Sequence, residues 1–147
     1  KKILLENKKL QAKEKKRIEI SDKLLDLSSG EIPEVLIESE TRRIESQFNE
    51  DIRQMGVSVE DYLKHAKKTI EDLRNDWRPH ALKKAKLQLI LNEVAQIENI
   101  VVDKKNTEEE VEHILAYYKD ANKEQAYIYA ETVLTNEEVY KFLESQK

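Results

Sequence analysis

The chain has no cysteine among its 147 residues, and it contains only two glycines and two prolines. Without cysteine it has neither a disulfide framework nor a thiol nucleophile. Glycine and proline are the residues least favourable inside helices, so their scarcity favours long helical segments. No apolar run approaches the roughly 20 residues that span a membrane, and the first residues lack the pattern of a signal peptide. The sequence therefore predicts a helical chain with no membrane segment.

The motifs that carry most enzymatic chemistry are also missing. The three histidines, His65, His80 and His113, do not have the spacing of a helical zinc pair, and there is no HExxH motif. There is no glycine-rich phosphate loop and no GxSxG motif. The acidic residues lie where helix starts and solvated faces favour them, as at 108–110. We therefore predict no catalytic residue, no metal site and no cofactor.

Charged side chains make up 38% of the sequence and apolar ones 39%. Such a balance is typical of a mostly helical protein in which much of every helix faces water and the core is thin. The net charge is −4. Because binding to phosphates requires a cationic surface, this charge argues against nucleic acid as a partner.

Apolar residues recur at helical spacing along nearly the whole chain. Ile3–Leu27 predicts one long helix with packed apolar ends and a solvated middle, which Ser28-Ser29-Gly30 stops. Further helix starts are predicted at Pro33, Ser58, Thr69, Thr107, Lys123 and Thr135. At the four of these positions that hold Ser or Thr, an acidic residue follows three positions later, which is the pattern of a capping box. Residues 101–103 are predicted to form an extended link.

The helix predicted to start at Thr69 contains Pro79, where we expect a kink or a restart because proline removes one helical hydrogen bond. Beyond that residue, Leu82–Ile97 is apolar over a wide arc of the helix. A helix that is apolar on more than one side is buried on more than one side. The segment is therefore predicted to be a central strut with neighbours on both flanks.

Several short motifs follow one another in a fixed order along the chain. They are Leu36-Ile37-Glu38, Phe48, Gly56, Tyr62-Leu63, Thr69–Arg74, Arg78–Leu91 and Glu108–Val111. No one of them is diagnostic, but their order and spacing resemble the C-terminal domain of the trigger factor family, the bacterial ribosome-associated chaperones. The resemblance covers the whole chain and is most specific between Pro33 and Val111.

The resemblance implies an all-α fold: an elongated multi-helix chaperone domain with two helical arms, an architecture shared with the chaperone SurA. It assigns residues 1–30 to the long helix that follows the isomerase domain of the family, and residues 31–147 to the arms and body. The isomerase domain and the N-terminal, ribosome-docking domain are expected to be absent here. The resemblance thus implies no isomerase activity, ribosome contact only through the absent domain, and a cytoplasmic location.

The function implied is a chaperone module that binds unfolded or nascent polypeptides in an apolar helical cradle, which prevents aggregation and assists folding. Methionine and aromatic side chains suit such adaptable contacts. The predicted client-binding residues are Phe48, Met55, Val57, Tyr62, Leu63, Tyr117, Tyr118 and Tyr127. For Phe48 and Tyr62, packing against Trp77 is the competing interpretation. The alternative function is a structural helical adaptor for one defined partner, although the heptad pattern of a scaffold rod is not sustained.

A weak, concentration-dependent homodimer is also expected. A strut that is apolar on two sides leaves surface to cover, and a two-fold contact is the commonest way for identical chains to cover it. Burying about 400 Å² of apolar surface at about 25 cal/mol per Å² gains roughly 10 kcal/mol. This gain nearly balances the cost of association, which is about 4–15 kcal/mol.

Overall fold

The computed structural model describes residues 1–146, and the regular secondary structure in that range is entirely helical. The described residues form six helices: α1 Lys2–Leu27, α2 Glu34–Gln54, α3 Val59–Ala66, α4 Ile70–Ile97, α5 Lys104–Tyr117 and α6 Lys123–Ser145. The prediction of an all-α fold is confirmed, and residues 101–103 form the non-helical link expected there.

Two helices begin as the capping signals predict. The Ser58 hydroxyl oxygen accepts a hydrogen bond from the Asp61 N–H at 3.1 Å, at the start of α3. At the start of α4, Thr69 Oγ1 accepts from the Asp72 N–H at 3.2 Å, and the Asp72 carboxylate accepts from the Thr69 N–H at 2.8 Å. This reciprocal pair is a complete capping box. The bond from the Thr69 N–H lowers the pKa of Asp72 below its ordinary value.

Two predicted helix starts are wrong. Thr107 is buried inside α5, whose N-cap is Asp103, with a side chain that accepts a hydrogen bond from the Lys105 N–H at 3.1 Å. An aspartate caps a helix at least as well as a threonine, so the helix gains another turn. Thr135 lies within α6, which is one helix that begins after Asn122. No glycine or proline interrupts α6, and nothing in its sequence therefore forces the break that we expected.

Helix α4 continues through Pro79 with no restart. Proline removes the hydrogen bond that residue 79 would donate to the carbonyl of Asn75. Both residues are exposed, so water can satisfy that carbonyl at little cost. Of the two outcomes expected at Pro79, the restart does not occur, and the kink stays a prediction.

The chain divides into two compact units. We call residues 1–24 with residues 90–146 the terminal unit, and residues 25–89 the central unit. The division made from the sequence, residues 1–30 and 31–147, stays a prediction about the family's organisation.

The core of the terminal unit lies between α5 and α6. Val111, Ala126 and Ala130 are buried together, and Ile114, Leu115 and Tyr127 pack against them half-buried. Alanine has no side chain beyond Cβ, so two helices that meet through alanines can approach closely. This part of the chain therefore packs as a tight helical hairpin.

Helix α1 is fixed to α6 by one arginine. The Arg17 guanidinium donates to Glu137 at 2.6 and 2.9 Å and to Glu144 at 2.8 Å, and it lies 5.2 Å from the centre of the Tyr140 ring. Ser21 and the Tyr140 hydroxyl share a hydrogen bond of 2.7 Å. The hydrogen bonds to the two glutamates raise the pKa of Arg17, and Glu137 makes the largest contribution. Ionic and aromatic contacts thus hold the second half of α1.

The first half of α1 is exposed throughout, from residue 1 to residue 16. The prediction that its apolar end is packed is therefore wrong. Four large aliphatic side chains remain more than half exposed there: Ile3, Leu4, Leu5 and Leu10.

Helix α4 is buried unevenly along Leu82–Ile97, the segment predicted to be a central strut. Ala85 and Leu91 are buried, and Leu87, Ile90 and Val94 are half-buried. Leu82, Leu89 and Ile97 are 41%, 37% and 66% exposed. The prediction that this segment is buried on more than one side therefore holds for the first group of residues, whereas the face that carries Leu82 and Leu89 is partly open to solvent.

Lys86 of α4 binds the C-terminal end of helix α1. Its ammonium donates to the carbonyl oxygens of Leu25 at 3.0 Å and Ser28 at 2.9 Å. Helix α1 has no basic residue in its own last turn. A cation at this position satisfies free carbonyls and complements the negative end of the helix dipole. The stop at Ser28, which local signals predict, is thus supported by a residue almost 60 positions away.

Replacing Glu137 with glutamine should remove an acid-sensitive part of the stability. Arg17 holds the pKa of Glu137 at about 2, against an ordinary value of 4.5. Because the folded pKa is the lower one, the stabilisation is present above about pH 5 and is lost as the pH falls toward 2. We expect the urea midpoint of Glu137→Gln, followed by circular dichroism, to lie below that of the wild type at neutral pH and to converge with it in acid.

The matched control is Glu131→Gln, which removes an exposed carboxylate of α6 that has no ion pair within the described residues. It should shift the midpoint little at any pH. A constant difference between wild type and Glu137→Gln from neutral pH down to acid would contradict this account of the Arg17 contact.

Candidate functional site

The first group of predicted site residues lies where α2 turns into α3. Gly56 has a φ of +74°, a conformation that glycine adopts without strain, and it reverses the chain after Met55. The Met55 side chain is 70% exposed and Val57 is 40% exposed. Two apolar side chains therefore stand in solvent at the tip of this turn.

Beneath that tip lies an aromatic cluster in the central unit. The Phe48 ring lies 5.2 Å from Tyr62 in an edge-to-face arrangement and 5.3 Å from Trp77. Phe48 and Trp77 are half-buried, as is Leu63, whereas Tyr62 is 36% exposed. The competing interpretation, packing against Trp77, therefore describes Phe48 well. Tyr62 contacts the Phe48 ring and is also partly open to solvent.

The second group of predicted residues lies at the end of α5. Tyr117 is the last residue of the helix and is 87% exposed, and Tyr118 follows as its C-cap at 67% exposed. Their rings are 6.3 Å apart. Tyr127 does not join them as an exposed residue, because it packs half-buried against the Val111 core. The structure thus places two of the three tyrosines together in solvent.

Helix α6 adds apolar side chains that the sequence reading missed as binding residues. Ile128 and Tyr129 are each 60% exposed, and Val133 is 40% exposed. The signal for Ile128 was the helical phase, since it falls opposite the buried Ala126 and Ala130.

A charged cleft of about 380 Å³ lies between α2 and α4 of the central unit. Its charged residues bind one another. Arg78 donates to Glu34 at 2.7 Å, and Arg74 donates to Glu45 at 2.8 and 3.0 Å. Each arginine lowers the pKa of its glutamate through these bonds. The paired charges that line the cleft therefore hold α2 against α4.

Residues 1–146 contain no cluster of three side chains that could hold a metal ion. No helix in this range is long and apolar enough to cross a membrane.

Comparison with protein families decides the affiliation of the chain. The family model described as the C-terminus of bacterial trigger factor protein matches residues 1–145. The chain belongs to this family. The resemblance inferred from the short motifs is thereby confirmed over residues 1–145.

Curated trigger factors are similar to the chain at moderate identity. That of Agathobacter rectalis is 33% identical over 129 residues, which cover 87% of the chain and 29% of the relative. That of Carboxydothermus hydrogenoformans is 27% identical, with 89% of the chain and 31% of the relative covered. That of Pelotomaculum thermopropionicum is 31% identical, with 78% and 27% covered. The chain spans less than a third of these relatives, and no solved structure matches it.

Alanine substitutions should separate the packed aromatic residue from the exposed methionine. Phe48→Ala removes two ring contacts and is expected to lower the free energy of unfolding by about 2–3 kcal/mol, less than for a fully buried phenylalanine. Met55→Ala is expected to change it by at most about 0.5 kcal/mol, because the side chain is mostly in solvent. Urea titrations followed by circular dichroism measure both. Equal losses for the two variants would show that the tip and the cluster form one packed core.

Proposed function

We propose that this chain is a non-catalytic chaperone module that holds unfolded polypeptide segments through exposed apolar side chains. Membership in the trigger factor C-terminal family supports the chaperone role. The observation that carries the proposal is the exposure of apolar residues in both units, at Met55 and Val57 in one and at Tyr117 and Tyr118 in the other. These four of the eight residues predicted from the sequence as client contacts are thus exposed enough to touch a client.

The chemistry of these residues suits transient, sequence-tolerant binding. Methionine is flexible and polarisable, and tyrosine offers a large amphipathic ring at low entropic cost. Burying one such side chain fully contributes about 1.5–3 kcal/mol, so a client that touches only one of them is bound weakly. A client that touches several at once gains from effective concentration and still dissociates as each contact opens.

The packed residues have a different part in the proposal. Phe48, Trp77 and Tyr62 support the α2–α3 turn from below, so that Met55 and Val57 are presented on a fixed base. Tyr127 supports the hairpin of α5 and α6 in the same way. Phe48 and Tyr127 thus act mainly by positioning the exposed residues, while Tyr62 and Leu63 lie at the boundary.

The wider setting is part of the proposal. We place the function in the cytoplasm, on nascent as well as released chains. Ribosome contact is assigned to parts of the full-length relatives that this chain does not span. The partly open face of α4, with Leu82 and Leu89, is the surface through which a weak homodimer would form.

The test is suppression of aggregation. A variant with Met55→Ser, Val57→Ser and Tyr118→Ser should protect several unrelated denatured clients less well than the wild type, as measured by light scattering on dilution from denaturant. Its thermal midpoint should stay near that of the wild type, because the three side chains are exposed.

A matched control keeps the number of apolar losses the same. Val35, Ile97 and Val101 are also exposed, at 68%, 66% and 87%, but they lie outside the proposed contacts. Their triple serine variant should protect clients as the wild type does. Protection by the wild type of one client alone would favour the structural adaptor. A large fall in thermal midpoint of the first variant would show that its residues belong to the core.

A further inference from the structure

Pairs of lysines recur at an interval of seven residues along the first half of α1. They are Lys1-Lys2, Lys8-Lys9 and Lys15-Lys16. We call these six residues the lysine file. All six are exposed, and none of them has an ion pair within the described residues. The nearby Lys13 and Arg17 differ, because both bind Glu137 of α6.

The negative net charge of the whole chain hides the fact that this segment is positively charged. Residues 1–17 hold eight of the 26 basic side chains and only two of the 30 acidic ones. The chain is therefore strongly acidic over most of its length and strongly basic at one exposed helix. The expectation that nucleic acid is not a partner rested on the total charge of −4, which describes neither part.

The geometry of a helix aligns the file. Seven residues make almost two turns, so successive pairs project from nearly the same side of α1 and are about 10.5 Å apart along the axis. By the same rule, Arg17 and Ser21, which contact α6, lie on a different face, turned well away from the file. The lysines thus form a band of positive charge about 21 Å long, with Lys13 and its ion pair to Glu137 along the edge nearest α6.

The chemistry of the segment favours a phosphate backbone over other anionic partners. A helix that lies on a membrane has one apolar face, but Leu4, Leu5 and Leu10 project on different sides of α1. Helix α1 contains no aromatic residue on which a base could stack. Flexible ammonium groups at regular intervals suit a chain of phosphates and read no sequence.

We propose that the lysine file binds the phosphate backbone of a nucleic acid without sequence preference. This site uses none of the residues assigned to client binding, so it stands or falls independently of the proposed function.

Salt dependence tests the proposal. Six neutralised phosphates predict a slope of about −4 for log K against log salt, and hence about a 300-fold loss of affinity between roughly 50 and 200 mM salt. Lys8, Lys9, Lys15 and Lys16 are replaced together by glutamine, which leaves two lysines and a loss of only about sevenfold over the same range. The probe is a labelled 20-nucleotide oligo(U), with oligo(dT) as a second arm, followed by fluorescence anisotropy.

The control variant replaces Lys83, Lys84, Lys104 and Lys119, which are exposed lysines outside α1, and so changes the net charge equally. It should keep most of the affinity and most of the slope. Equal weakening by both variants would overturn the proposal in favour of non-specific charge attraction. Binding of the wild type to phosphatidylserine vesicles but to neither oligonucleotide would overturn it in favour of a membrane. Loss of self-association in the file variant, without any oligonucleotide binding by the wild type, would overturn it in favour of a second copy.

Discussion

A shortage of buried apolar surface governs the structure. Eleven of the described residues are buried, and four of these are alanines, which contribute little hydrophobic free energy each. The helices cannot be held by a large common core. They are joined instead by a small alanine-lined contact between α5 and α6, by the aromatic cluster at Phe48, and by ion pairs of arginines with glutamates. Arg17, Arg74 and Arg78 make the clearest of these pairs, because each binds a glutamate on another helix through two nitrogens.

The same shortage explains why the chain keeps apolar side chains in solvent. With narrow buried stripes, residues on the other helix faces have nothing to pack against, as Leu82, Ile128 and Met55 show. In most small proteins an exposed apolar surface is a liability. In the function that we propose, it is the surface that binds clients, provided that the helices beneath it stay in place. The ion pairs fix helices without consuming apolar area.

Much of this could be predicted from the sequence. The helical class, the stop after Leu27, the turn at Gly56 and the caps at Ser58 and Thr69 all follow from local signals that the structure confirms. The errors arose where two local signals compete. Asp103 and Thr107 are both good caps four residues apart, and only the burial of Thr107 decides between them. A capping pattern at Thr135 is likewise overridden because nothing in α6 breaks the helix.

Exposure was harder to predict than secondary structure. An apolar residue at helical spacing predicts a buried face, yet Ile3 and Leu10 share such spacing with Arg17 and are in solvent. Which stripe is covered depends on contacts distant in sequence, such as those of Arg17 with Glu137 and of Lys86 with Ser28. Among the predicted client contacts, the sequence therefore identified the residue types but could not separate Met55, which is exposed, from Phe48, which is packed.

The central claim is that exposed apolar residues of this fold touch unfolded polypeptide, and Met55 allows the most direct measurement. It is the only methionine of the chain, so protein labelled with carbon-13 in the methionine methyl group gives a single methyl resonance from the α2–α3 turn. The account predicts that this resonance shifts or broadens on addition of a permanently unfolded client and is unchanged by the same client in its folded form. A resonance that is insensitive to unfolded clients, at concentrations where the chain suppresses their aggregation, would contradict the account at this surface.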